Sequence, residues 1–117
     1  MDQETVRYII NHHKDLLSEA EQWALRYILH TQKLAAIRED ATRDRMTQIY
    51  RRQGWLVTDQ NVLDRLADGP DAFLYNTAVR VFNEHGGEKL LNLCPSCGRL
   101  TQTPTARQCR HCGNDWH

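Results

Sequence analysis

The sequence predicts a mainly α protein: a helical domain of about four to five helices over residues 1–92, followed by a small metal-organised module over residues 93–117. Three observations predict it. No glycine or proline occurs before Gly54, and the first proline is Pro70, so nothing breaks a helix in the first half of the chain. Apolar residues there recur at helical spacing. All four cysteines fall in the last 24 residues, as two C-x2-C pairs that are each followed by glycine.

The elements follow in order. Val6, Ile9, Ile10, His13 and Leu17 lie at i, i+3, i+4, i+7 and i+11, one face of a helix over roughly residues 3–17. Ser18-Glu-Ala-Glu21 is a capping box that opens a second helix. There Trp23, Tyr27, His30, Leu34 and Ile37 form one stripe and Leu25, Ile28, Leu29 and Ala36 another, so this helix is expected to be central and buried on two sides. From Arg38 to Arg45 the chain is almost wholly polar, which favours a break there over one helix running through residues 18–53. Met46, Ile49 and Tyr50 make a narrow stripe before Gly54 stops the third helix. Trp55-Leu-Val57 reads as an extended connector, and Thr58 or Asp59 caps a short helix bearing Val62, Leu63 and Leu66. Asp68-Gly-Pro-Asp71 ends that helix and starts another, with Phe73, Leu74, Thr77, Ala78, Val81 and Phe82 inward. Gly86-Gly87 is the natural hinge into the cysteine segment. No internal repeat stands out.

The cysteines carry the legible chemistry. They are set as Cys94-Pro-Ser-Cys97-Gly98 and Cys109-Arg-His-Cys112-Gly113, eleven residues apart. Two residues between thiolates let both sulfurs face one point, and a glycine after the second cysteine can take the positive φ that aims backbone N–H groups at the sulfurs. Two such knuckles make a tetrahedral four-thiolate site, which suits zinc first and iron second. The alternative, two disulfides, belongs to oxidising compartments. Met1-Asp-Gln-Glu-Thr-Val is polar and no apolar run approaches membrane-spanning length, so the expectation is a cytoplasmic chain with reduced thiols and no membrane association.

Residues 93–117 resemble the short zinc-ribbon family, CPxCG followed by CxxCG. The resemblance implies that Cys94, Cys97, Cys109 and Cys112 are the metal ligands and that a β-hairpin lies between the knuckles. Its strands would be about 99–103 and 106–108, turning at Pro104. Short ribbons are attached to proteins of many kinds, so the resemblance implies no activity. A module of this size cannot bury a core of its own, and the zinc is expected to supply its folding free energy, on the order of 10 kcal/mol.

The remaining residues bound the function. Fifteen basic and fifteen acidic side chains balance, so no overall field draws nucleic acid or membrane. Residues 93–117 carry Arg99, Arg107 and Arg110 against Asp115, a net of +2, which leaves −2 on residues 1–92. His12 and His13 are adjacent on a helix and point about 100° apart, so they do not chelate one ion together. His13 and His30 lie on apolar stripes and read as hydrogen-bonded core histidines; His85 terminates a helix, and His111 and His117 are surface residues beside a complete ligand set. The chain has no H-E-x-x-H, no P-loop, no G-x-G-x-x-G and no nucleophile elbow. The expectation is a non-enzymatic zinc protein that acts as an interaction or structural module. Its contact surface is Arg99, Arg107, Arg110 and Trp116, and its partner is a protein. The alternatives are nucleic-acid binding by the same arginines and aromatic, with Arg43, Arg45, Arg51 and Arg52 as a second basic stretch, and an enzyme with an unidentified site.

Overall fold

The structure is a computed structural model of the 117-residue chain and describes residues 1–56 and 59–117. Among the described residues there are five α-helices: α1 (Gln3–His12), α2 (Glu19–Ala35), α3 (Asp40–Arg52), α4 (Gln60–Arg65) and α5 (Pro70–Glu84). None is long and apolar enough to cross a membrane. The chain divides into two compact units, Met1–Leu17 with Leu74–His117, and Ser18–Phe73. The boundary at residue 92 expected from the sequence therefore falls inside the first unit.

In the first unit, Asp2 caps α1 by accepting a hydrogen bond from the Thr5 N–H (2.8 Å), and the Thr5 side chain together with that N–H holds its carboxyl below the usual range. Val6, Tyr8, Ile9 and Ile10 are buried. Burial pushes the Tyr8 phenol up, offset in part by the Asn92 backbone. α1 stops well short of residue 17. His13 leaves the helical region at φ −128°, and its Nε2 donates to the Leu90 carbonyl (2.8 Å), so the apolar stripe continues through a 3-10 turn over Lys14–Leu16 instead. His13 is hydrogen-bonded, as its place on the stripe predicts. Beyond α5, Gly86 and Gly87 both take positive φ, 104° and 60°, and a 3-10 turn, Gly87–Leu90, leads into the cysteines. Thr77, Ala78 and Val81 of α5 are buried, as are Cys94, Leu100, Thr101 and Cys109.

In the second unit, the capping box closes both ways: Ser18 Oγ accepts from the Glu21 N–H (3.2 Å), and Glu21 Oε1 accepts from the Ser18 N–H (2.8 Å). The chain does break after α2, and Arg43 Nη1 donates to the stranded Ile37 carbonyl (3.0 Å). α3 ends in a Schellman arrangement. Gly54, at φ +73°, donates to the Arg51 carbonyl (3.1 Å), and the Trp55 N–H reaches the Tyr50 carbonyl (2.9 Å). That turn lays Trp55 on His30, with ring centroids 5.0 Å apart and 15° between planes, so Trp55, though exposed, has a stacking partner on α2.

Asp59 caps α4 through the Asn61 N–H (2.8 Å); Val57 and Thr58, the other residues expected in this connection, lie outside the described residues. Pro70 opens α5 at the first helical position after Gly69, whose φ is 97°. Ala24, Ile28, Leu34, Tyr50, Val62 and Phe73 are buried in this unit. α2 packs on α3 and α4, but Leu29 is 46 % exposed, so the second apolar stripe is only partly covered.

Candidate metal centre

The cysteine segment is two copies of one small structure. In the first, the Gly98 N–H bonds to the Cys94 carbonyl (2.9 Å) and the Cys94 N–H to the Arg99 carbonyl (2.8 Å). In the second, Gly113 bonds to Cys109 (3.0 Å) and Cys109 to Asn114 (2.8 Å) in the same way. An antiparallel bridge flanks each knuckle, Leu93 with Leu100 and Gln108 with Asp115. Beyond these, the Thr101 N–H pairs with the Asn92 carbonyl and the Trp116 N–H with the Arg107 carbonyl, both at 2.9 Å. Every one of these positions recurs fifteen residues later. The internal repeat escapes a reading of side chains because, apart from C-x2-C-G, the two copies share almost no residue types.

This arrangement corrects the expected hairpin. No strand over 99–103 pairs with one over 106–108; the pairing is local to each knuckle, and a single bridge on each side is all the β structure in the segment. The physical reason is Asn92. Its side-chain N–H groups donate to the carbonyls of Thr103 (2.9 Å) and Ala106 (2.8 Å). Thr101, 1 % exposed, donates its hydroxyl to the Asn92 carbonyl (2.7 Å). The backbone groups that a central hairpin would have paired are spoken for.

The four sulfurs converge. All lie within 4.8 Å of one another, with Cys94 to Cys112 at 3.7 Å and Cys97 to Cys109 at 3.6 Å. A disulfide needs about 2.05 Å, so these are free thiols. Tetrahedral thiolates at about 2.3 Å from a zinc ion stand about 3.8 Å apart, and the two short edges match that spacing. Backbone N–H groups point at the sulfurs: Ser96 (3.4 Å) and Cys97 (3.5 Å) at Cys94, and His111 (3.3 Å) at Cys109. Such donors favour thiolate and belong to the surroundings that orient metal ligands. The donor set and its spacing are compatible with a single metal ion.

The same contacts divide the thiols electrostatically. Desolvation works to raise Cys94, but the Cys97 and Ser96 N–H groups and sharing with Cys112 and Cys97 outweigh it and bring the thiol down to about 6. The Cys112 and His111 N–H groups likewise outweigh burial at Cys109 and lower it. At Cys97 the Arg99 backbone N–H works downward, yet desolvation and the sulfurs of Cys109, Cys112 and Cys94 push it up to about 11. Four close sulfurs without a cation cannot all be anionic, and a bound dication removes that conflict. Cys94 and Cys109 are buried, whereas Cys97 and Cys112 reach the surface.

The residues expected to touch a partner fall into two groups. Arg110 is held by an ion pair to Glu4 on α1, and His111 Nε2 lies 4.0 Å from the same carboxylate. Its guanidinium thus ties the second knuckle to α1. Arg99 and Arg107 are exposed, with Arg99 Nη1 at 3.4 Å from His111 Nδ1, and Trp116 is half-buried. His117 pairs with Asp115, which lowers that carboxyl, and neither joins the sulfurs. His12 packs its ring against Tyr8 (4.9 Å) and does not meet His13 at a shared ligand position. The sequence reading missed Asn92 and Thr101, the residues that seat the first knuckle. The only signal for them is polar side chains beside the cysteines.

No protein-family model, curated protein or solved structure matches this chain.

Proposed function

We propose that Cys94, Cys97, Cys109 and Cys112 hold one structural zinc ion, and that the protein is a non-enzymatic zinc-ribbon-like module that binds a protein partner. The observation that carries the metal assignment is the sulfur spacing, with two edges at 3.6 and 3.7 Å between free thiols. Four thiolates complete a tetrahedral shell and leave no position for a substrate, so the ion holds the fold and performs no Lewis-acid chemistry. Reduced cysteines in this pattern suit a cytoplasmic setting. Arg99, Arg107 and Trp116 form the contact face, because guanidinium and indole groups anchor interfaces and Arg110 is already engaged with Glu4.

Elemental analysis of the purified protein tests the metal: one zinc per chain is expected. A red-brown protein with visible thiolate-to-iron absorption assigns iron instead, and metal-free protein overturns the centre. The contact face is tested by replacing Arg99 and Arg107 with Ala in zinc-loaded protein; unchanged capture of the native partner overturns it. Salt distinguishes the partner class. Binding to a phosphate backbone weakens by roughly one power of salt per contact, whereas an interface anchored by a buried aromatic weakens far less.

A further inference from the structure

The four sulfurs differ in exposure and in what they face, and the two differences interlock. Each knuckle has one buried thiol and one exposed thiol: Cys94 and Cys109 are buried, Cys97 and Cys112 exposed. The two short sulfur–sulfur edges do not run within a knuckle. Cys112 faces Cys94 at 3.7 Å and Cys97 faces Cys109 at 3.6 Å, so each exposed sulfur stands against the buried sulfur of the other knuckle. Within the first knuckle it is the Cys97 backbone N–H that approaches the Cys94 sulfur, at 3.5 Å, while the Cys97 sulfur reaches across the site. Turning that sulfur back on Cys94 would take it away from Cys109.

Oxidation of a cysteine follows thiolate character and exposure, and a sulfenic acid lasts only until a second thiol reaches it. Metal binding requires all four cysteines as thiolates. Cys97 and Cys112 offer theirs to solvent. Cys94 and Cys109 are screened from solvent but placed to attack the neighbouring sulfur. The backbone N–H groups of Ser96, Cys97 and His111 favour in them the anionic form that such an attack needs. The exposed members are thus the entry points for an oxidant, and the buried members are the resolving nucleophiles. Each edge must shorten from 3.6 or 3.7 Å to about 2.05 Å to become a bond, a small movement for side chains that already face each other.

We propose that the centre is a hydroperoxide-responsive switch: Cys97 and Cys112 are attacked, the disulfides Cys97–Cys109 and Cys94–Cys112 form across the two knuckles, and the zinc is released. The switch rests on the zinc reading of the four thiols. For each pair, the exposed thiolate attacks one peroxide oxygen and the O–O bond breaks. The sulfur becomes a sulfenic acid, and the leaving oxygen takes a proton to give water or an alcohol. The buried thiolate then attacks that sulfur; the S–S bond forms and hydroxide leaves, protonated by solvent. One hydroperoxide is reduced and two thiolates are oxidised per disulfide, so emptying the site consumes two hydroperoxides. A disulfide sulfur is not a thiolate ligand, and a dithiol reductant regenerates all four.

The test uses the full zinc-loaded chain, hydrogen peroxide as the oxidant and a chromogenic chelator that reports free zinc. The starting protein is analysed for metal and peroxide is added in steps. Remaining thiols are alkylated, and trypsin then cleaves after Arg99, Arg107 and Arg110 without reduction. One zinc per chain is expected to appear as about two equivalents of peroxide are consumed, and dithiothreitol with added zinc is expected to reverse it. Residues 90–99, which carry both Cys94 and Cys97, are expected joined to both 108–110 and 111–117. Fragmentation between Cys94 and Cys97 then assigns Cys94 to Cys112 and Cys97 to Cys109. Any sulfenic acid trapped by dimedone during the titration is expected on Cys97 or Cys112; one on Cys94 or Cys109 overturns the proposal. A cyclised 90–99 beside a separate 108–110 to 111–117 pair would place the disulfides within the knuckles and overturns it. So do the opposite cross pairing, disulfides between chains, sulfinic or sulfonic acids in place of disulfides, and zinc retained in about tenfold excess of peroxide. Zinc absent before any oxidant is added sinks the metal reading itself, whereas zinc present at the start with any of these other results sinks the switch alone.

Discussion

Gly98 and Gly113 hold the same place in the two knuckles, at φ +75° and +78°, and a Cβ on either would meet nothing within 4 Å. The cost of a side chain there is purely conformational, about 1–2 kcal/mol for a left-handed L-residue. Gly98→Ala and Gly113→Ala are each expected to lower the stability of the first unit by that amount, read as a shift in the urea midpoint at constant m. The thiols respond to pH in opposite senses. Cys94, depressed to about 6 from 9.0, contributes stability that is fully present above the ordinary thiol value and lost as pH falls through 6. Cys97, raised to about 11, contributes below the ordinary value and loses it as pH rises through 11. Metal competes with those protons, so zinc affinity is expected to fall as pH drops below 11, where Cys97 is protonated, and more steeply below 6, where Cys94 is too, measurable by competition with a chromogenic chelator at fixed ionic strength. Arg110 shows how position overrides residue type. An exposed pair such as Arg110–Glu4 is worth at most about 1 kcal/mol, and Arg110→Ala is expected to cost no more in thermal unfolding.

At the scale of elements, the starts of α1, α2, α4 and α5 and the end of α3 are each explained by a named device. Ser18→Ala removes the acceptor for the Glu21 N–H and is expected to cost about 1 kcal/mol, with amide exchange rising in the first turn of α2 before the rest. Gly54 does for α3 what the glycines do for the knuckles, and it also aims Trp55 at His30. Gly54→Ala is therefore expected to redshift tryptophan emission as well as destabilise the second unit; destabilisation without a spectral change would mean that the ring stack forms independently of the turn. Capping boxes, proline at the first helical position and glycine after the last are short-range effects, which is why α2, α3 and α5 are legible in the chain. The end of α1 is not. His13 continues the apolar stripe, but a carbonyl from residue 90 takes its ring, and local propensity yields to that distant partner.

For the whole molecule, the first unit joins Met1–Leu17 to Leu74–His117, so the four-cysteine segment shares a compact unit with the N-terminal helix. Chelation is accordingly expected to do more than melt residues 93–117. Hydrogen exchange should show α1 losing protection together with the knuckles while α2, α3 and α4 keep theirs, because the second unit contains no cysteine. Full protection of α1 after metal removal would restore the simpler division at residue 92, and loss across α2–α4 would show that the metal stabilises both units.

By itself the sequence determined the helical class, the capping box of α2, the start of α5 and the two cysteine pairs, since each follows from residues within a turn or two of one another: Ser18 with Glu21, Gly69 with Pro70, Cys94 with Cys97. Only the tertiary structure decided what those pieces meet. Asn92 closing the connection between the knuckles, Arg110 committed to Glu4, the residue-90 carbonyl on His13 and the Trp55 ring on His30 all join groups that are far apart in the chain or on different elements. Such pairings are set by chain topology and by which polar groups remain unsatisfied after the helices form, and hydrophobic periodicity carries no record of either.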